Sequence, residues 1–374
     1  MRTGSELNKA TRPFAAEDRA KSWRLLVTTL AVLLGSLVGV ALAPYWWVQL
    51  PLAVFAGLVQ IRLFIFFHDY LHGAILHRSK VGGVIMSLTG FYMLSVRSVW
   101  RETHNYHHKN NAKLVGSAIG SYPVLTIGMW RSISAKQKKF YRFIRHPLTI
   151  FTGYFTIFLL GMALSPFKRD PSKHWGGPVA IASHFGMFVA FGLWLGWLTS
   201  FFLIILPLFV ALGLGSYLFF AQHNFPDIQL RDRRQWDYTF AALRSSSYFE
   251  MNPIMHWFTG NIGYHHVHHL NHRIPFYRLP EAMAAIPELQ DPGRTTWSLK
   301  DIVRNLRLAV WDPEKGRMLT YAELGSRGVA VALRRAPWPC AVLLRRALAP
   351  CSCAVLLRRA PWPCAAGRPL LACC

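Results

Sequence analysis

Negative charge is what this sequence has least of. Only 17 Asp and Glu stand against 42 Lys and Arg in 374 residues, a formal net charge of +25. Charged residues of both signs make up only 16% of the chain, against about 25% in a soluble domain. Cysteine is missing from most of the length. All six (Cys340, Cys351, Cys353, Cys364, Cys373, Cys374) fall in the last 35 residues, so nothing before them depends on a disulfide. No Cys-x-x-Cys pair occurs, which excludes a rubredoxin-like electron site or a thiolate zinc site. Hydrophobic residues, by contrast, reach 52%. A chain both apolar and basic combines membrane-spanning segments with a basic face toward anionic lipid. Nucleic-acid binding would explain the charge but not the apolar excess, so no nucleic-acid partner is expected.

Residues 1–24 are polar and mixed in charge, and read as a cytosolic segment. Residues 25–44 carry no charge and are long enough to cross the hydrocarbon core. They lack the small-residue cleavage site of a signal peptide, so a retained span is expected. A second run, 45–67, is interrupted only by Arg62 and opens with Tyr45, Trp46 and Trp47, which suit an interface. Later apolar runs cover 83–96, 147–167, 179–198 and 200–221. The first is too short to span. From 325 to 374 the chain repeats itself: Leu333–Ala341 recurs at 357–365 and Cys340–Ala347 at 353–360. Such short, proline-broken repeats predict a low-complexity tail without stable structure.

Three histidine clusters stand out. His68-Asp-Tyr-Leu-His72 is an HxxxH, His104-Asn-Tyr-His107-His108 an HxxHH, and His265-His-Val-His268-His269 contains another HxxHH. On a helix, positions i, i+3 and i+4 share one face, so each box aims two or three imidazoles in one direction. A random chain with 16 histidines would hold ~0.7 HxxxH but only ~0.03 HxxHH. The eight boxed residues therefore read as metal ligands, and His266 as off their face. His223 directly follows the last apolar run as His68 follows the second, which makes it a ninth candidate. His77, His146, His174, His184, His256 and His272 read as interfacial side chains.

Boxes that share one centre must lie on one side of the membrane, so the chain crosses an even number of times between them. The run 83–96 then lies in the interface. Of the three runs between His108 and His265, one does not cross. The loop 168–177 carries Lys168, Arg169 and Lys173 against Asp170, which places it on the cytosolic side and makes 147–167 interfacial or re-entrant. The stretch 131–145 has six Lys and Arg and no acid, and is expected on anionic headgroups. The fold expected is an all-α integral membrane protein with four spans in two hairpins (25–44 with 45–67, and 179–198 with 200–221). Both termini and a helical cap carrying the boxes face the cytosol.

Imidazole suits Fe, Zn, Cu or Ni, so residue type leaves the metal open. Eight or nine imidazoles exceed what one ion holds and point to two. Asp69, Glu102, Asp227 and Asp237 are candidates to orient the rings from behind. Taken together, His68-Asp-x-x-His72, Trp100-Arg-Glu-Thr-His104-x-x-His107-His108 and Gly260-Asn-Ile-Gly-Tyr-His265-His-Val-His268-His269 resemble the three boxes of integral-membrane fatty acid desaturases. The likeness covers about residues 25–290 and is nearest the delta-12/omega-6 acyl-lipid type, where the last box also leads into a segment like Arg273-Ile-Pro275-x-Tyr277-x-Leu279.

That resemblance implies a membrane desaturase domain over about 25–324 with two iron ions held by the boxed histidines and His223. It implies oxygen-dependent removal of two hydrogens from an acyl-lipid or acyl-thioester chain in the membrane, leaving a cis double bond. Two electrons must come from outside. The sequence has no His-Pro-Gly-Gly of a fused cytochrome b5, so a separate ferredoxin or cytochrome b5 type donor is expected. Having His265 rather than Gln at the head of the third box sets the chain apart from front-end desaturases. Two other readings stay open. A lipid or carotenoid hydroxylase or ketolase would use the same boxes. A metal transporter would place ionisable ligands at mid-membrane, yet the expected spans contain only Arg62 and His184.

Overall fold

The structure, a computed structural model, describes residue 2 and residues 4–325. Beyond Gly325, the repeat tail lies outside the described residues. The chain opens with a short helix, α1 (Gly4–Thr11), whose Leu7 is buried. Asp18 then accepts the Lys21 N–H at 2.9 Å and starts α2 (Arg19–Leu42), six residues before the apolar run begins. After three connecting residues comes α3 (Trp46–His72). It runs one turn past the apolar stretch and stops where Gly73 takes φ +71° and donates to the Asp69 and Tyr70 carbonyls. Hydrophobicity marks where lipid begins and ends; caps mark where the helix does. That is why the expected spans and the helices overlap but do not share ends.

Next come α4 (Lys80–Tyr92) and α5 (Arg97–Asn110), then α6 (Ala135–Ile144), opened by a Ser134/Gln137 capping box. The run 147–167, expected to be interfacial or re-entrant, divides into an α-turn Pro147–Phe151, a π-helical stretch Tyr154–Leu164 and a last turn Ser165–Arg169. Two further long apolar helices follow, α7 (Gly176–Leu195) and α8 (Trp197–Gln222). Among the described residues α2, α3, α7 and α8 are the four helices long and apolar enough to cross a membrane. α3 packs against both α2 and α8 and is the most buried. Outward-facing apolar side chains such as Leu34, Leu42, Leu193 and Trp194 would be unfavourable against water and are at home against lipid. Aromatic residues gather at the α2–α3 and α7–α8 junctions (Tyr45, Trp46, Trp47; Trp194, Trp197), as they do at membrane interfaces. This is an all-α membrane protein.

The cap is completed by α9 (Tyr238–Arg244), α10 (Pro253–Phe258), α11 (His265–Leu270) and α12 (Leu299–Arg307). Two small sheets, not foreseen in the sequence, tie it together. β1 (Leu125–Thr126) pairs in parallel with β4 (Leu308–Asp312), which pairs antiparallel with β5 (Arg317–Thr320). β2 (Tyr248–Glu250) pairs in parallel with β3 (Arg294–Thr296). Strands of two to five residues carry almost no periodicity, and both parallel pairs join segments remote in the chain.

Several lone histidines depart from the interfacial role expected of them. His184 is fully buried midway along α7, where its Nε2 lies 2.6 Å from the Tyr154 hydroxyl. A polar ring inside an apolar helix needs such a partner. His174 is buried too. His272 rests against the rings of His72 and His108, with centroids 4.7 and 5.1 Å away. His77 and His146 are exposed, and His146 Nδ1 accepts the Leu148 N–H at 3.2 Å.

Candidate metal centre

Four separate pieces of chain deliver nine imidazoles to one place. α3 carries His68 and His72 on its last turn. α5 carries His104, His107 and His108, with Trp100 stacked on His104 at 4.1 Å between centroids. His223 caps the end of α8. α11 carries His265, His268 and His269 after a turn in which Gly263 passes so close to β2 that a Cβ there would lie 2.5 Å from the Phe249 carbonyl oxygen.

The nine residues sort into two groups, all buried except the half-buried His223. His68, His72, His104, His108 and His268 form one; His107, His223, His265 and His269 form the other. In the first, Nε2 atoms follow one another at 3.1 Å (His68–His104), 3.0 Å (His104–His108) and 3.1 Å (His108–His268). In the second they close a ring: His107–His223 3.1 Å, His223–His265 2.9 Å, His265–His269 3.2 Å and His269–His107 3.3 Å. The groups adjoin, with His108 stacked on His269 at 4.4 Å.

Hydrogen bonding alone explains these contacts poorly. A neutral imidazole nitrogen either donates or accepts, so a closed ring of four leaves two protons shared among four edges. Nitrogens about 90° apart on one ion, with bonds of about 2.1 Å, are about 3 Å from each other. That is the spacing seen. Both nitrogens of buried His72 also lack any partner among the described residues, an arrangement a metal would relieve.

Electrostatics point the same way. Burial, then neighbouring imidazoles, hold His104, His107, His108, His265, His268 and His269 well below the ordinary histidine value. Burial pulls His223 down to about 4, opposed by its bond to the Ser245 carbonyl. Neutral imidazoles offer the lone pairs a cation needs. The donor set therefore fits a pair of metal ions.

Of the four acids considered for support, only Asp69 reaches a ring. Its Oδ1 lies 2.9 Å from His68 Nδ1. Glu102 pairs with Lys173 at the surface, Asp237 caps α9, and Asp227 is exposed. His266, between ligand candidates, turns away to the Leu289 carbonyl, 3.0 Å from its Nε2. Residues not foreseen also touch the site. Tyr238 donates its hydroxyl to the His269 carbonyl at 2.6 Å, and Ser245 supplies the carbonyl 3.2 Å from His223 Nδ1. Neither has a motif, because backbone acceptors leave no trace in residue type.

With this geometry in view, likeness to known proteins becomes decisive. Residues 44–300 match the fatty acid desaturase family. The chain belongs to that family. A fatty acid desaturase of Bacillus subtilis is 28% identical over 84% of this chain and 90% of its own length. A probable fatty acid desaturase of Sorghum bicolor is 27% identical, covering 64% of this chain and 62% of the relative. An sn-1 acyl-lipid omega-3 desaturase (ferredoxin) of a Nostoc species is 24% identical over 68% and 72%. The family makes this chain an oxidoreductase, a fatty acid desaturase with an acyl or lipid substrate, and its two histidine groups are able to hold metal.

Proposed function

We propose that this desaturase is an oxygen-dependent acyl-lipid enzyme whose nine histidines hold two iron ions, and that it leaves a cis double bond in a membrane acyl chain. The observation carrying this reading is the sorting of nine imidazoles, eight buried and His223 half-buried, into two adjoining groups. An unactivated methylene has no acidic proton and no leaving group, so acid–base or nucleophilic catalysis has nothing to act on. Iron, when bound, supplies the oxidising power. The balance is one O2, two external electrons and two protons, with the two hydrogens removed from the chain, giving one double bond and two waters.

The protein's own residues perform the rest. Asp69 holds the His68 ring from behind, and the Ser245 carbonyl does so for His223. Burial keeps bulk water from the oxidising centre. The position of His68, His72 and His223 at the ends of α3 and α8 supports a centre just beneath the lipid surface, within reach of a chain entering from the bilayer. The same placement supports a multi-pass topology in which the boxes and both termini are cytosolic, with the catalytic domain at about 25–324. The substrate is an acyl lipid or acyl thioester. Electrons come from a ferredoxin or cytochrome b5 type donor; a ferredoxin is named for the Nostoc relative.

The test is expression in a host that makes only saturated and monounsaturated lipids, followed by gas chromatography of the fatty esters. New double bonds are expected, and are lost in His107→Ala and His268→Ala variants that still reach the membrane. A hydroxylated product would assign the outcome differently. Unchanged lipids with an active donor present would overturn the reading.

A further inference from the structure

Above the second histidine group the surface is basic. The loop after α5 and the loop before α9 lie side by side, with the Leu114 N–H donating to the Arg231 carbonyl at 3.1 Å. Lys113 forms a backbone β-bridge with Arg231 across these loops, with Lys109 in the last turn of α5 and Arg233 and Arg234 next along the second loop. Lys109, Arg233 and Arg234 are exposed and have no carboxylate partner among the described residues. Two exposed acids share this face, Asp232 accepting the backbone N–H groups of Arg234 and Gln235 and Asp237 capping α9, so five cations stand against two carboxylates.

Aromatic rings lead inward from this patch. Lys113 sits 4.0 Å over the Trp236 ring, and Trp236 donates its indole N–H to the Asn111 carbonyl at 2.8 Å. The Tyr238 ring is 6.4 Å from Trp236, and its hydroxyl meets the backbone of His269. The route from surface to metal group is thus two rings and one hydrogen bond. The other basic stretch differs. On α6 and just after it, the cations are interleaved with exposed Phe143 and Leu148, the pattern of a segment lying on lipid.

We infer that the Lys109/Lys113/Arg231/Arg233/Arg234 face docks an acidic one-electron carrier protein, and that Trp236 and Tyr238 conduct its electrons to the His107/His223/His265/His269 group. This deepens, and rests on, the desaturase reading. Each visit oxidises one carrier by one electron, and two visits supply the pair needed per double bond. Opposite charge steers such encounters and raises their rate by about 10- to 1,000-fold at low salt.

The experiment uses the full chain, iron-loaded, in lipid nanodiscs, with reduced plant-type [2Fe–2S] ferredoxin as probe and dithionite as a reductant that needs no docking. Ferredoxin oxidation by the Arg233→Glu/Arg234→Glu variant is expected to be at least tenfold slower than by wild type. Its salt dependence should disappear, while dithionite still supports normal product. Trp236→Leu should slow ferredoxin oxidation without losing salt dependence, and Trp236→Phe should restore it. Lys136→Glu/Lys139→Glu on α6 should leave the rate unchanged. An unaltered rate in the Arg233/Arg234 variant, or no reaction of wild type with ferredoxin while dithionite works, would overturn the docking site and leave the desaturase intact. No product with dithionite either would instead sink the desaturase reading.

Discussion

The Asp69 carboxylate accepts the backbone N–H of Phe276 at 2.7 Å through Oδ2 while Oδ1 faces His68 Nδ1. One buried side chain thereby fixes a ring of the first box and the loop that follows the third. Asp69→Ala should lower iron affinity by about 10- to 100-fold, the usual loss when a ligand's supporting partner is removed. It also leaves a buried N–H without an acceptor, which costs about 1–3 kcal/mol. Iron per chain and the unfolding midpoint in detergent report the two effects separately.

The two histidine groups make the metal count testable residue by residue. His72→Ala withdraws a ligand candidate from the first group alone, and His265→Ala from the second alone. Each is expected to reduce bound iron from two ions toward one and to abolish desaturation. Elemental analysis of the purified variants decides it; two ions retained in both would contradict the assignment.

Removing metal should destabilise the fold and not only stop the reaction. Ions that bind the folded chain alone stabilise it by mass action, by about 2.7 kcal/mol at a hundredfold excess over Kd. Chelated protein should therefore unfold at lower temperature than loaded protein, and added iron should raise the midpoint in a concentration-dependent way. A midpoint indifferent to iron would count against the centre.

Arg62 is a buried cation on α3 that no carboxylate pairs with among the described residues. Its guanidinium donates to the Thr29 hydroxyl at 3.1 Å and the Trp257 carbonyl at 2.6 Å, and lies over the Trp257 ring at 4.7 Å. It therefore pins α2, α3 and α10 together. Arg62→Met should cost about 1–3 kcal/mol by stranding those acceptors. Arg62→Lys should not rescue, because a single ammonium cannot reproduce the planar fork. Thermal unfolding of the three proteins in one detergent makes the comparison.

Close approach at Gly263 gives a steric test. A methyl group there would sit 2.5 Å from the Phe249 oxygen, so β2 or the turn into α11 must move. Gly263→Ala is expected to reduce iron content and desaturation together, by displacing His265, His268 and His269.

Much of this was legible in the sequence because the signals are local. A span announces itself by twenty apolar residues, and an HxxHH box by its spacing on one helical face. His223 was legible through its position after an apolar run, in parallel with His68. What escaped is non-local or carried by the backbone. The Tyr238 bond to His269 and the Ser245 carbonyl behind His223 depend on chain paths that no window of sequence contains. His184 was misjudged because its partner, Tyr154, lies thirty residues away. His272, four residues after His268, was read as interfacial, yet the turn after α11 folds it back against His72.

His68 and His268 belong to the same cage although two hundred positions separate them. During synthesis the first and second boxes emerge long before the third, and the two groups gain their last donors only with His268 and His269. Completion of either candidate metal group is thus a late event that reports completion of the whole catalytic region. A chain halted before α11 would present six unsatisfied imidazoles, an open half-site for any passing transition metal.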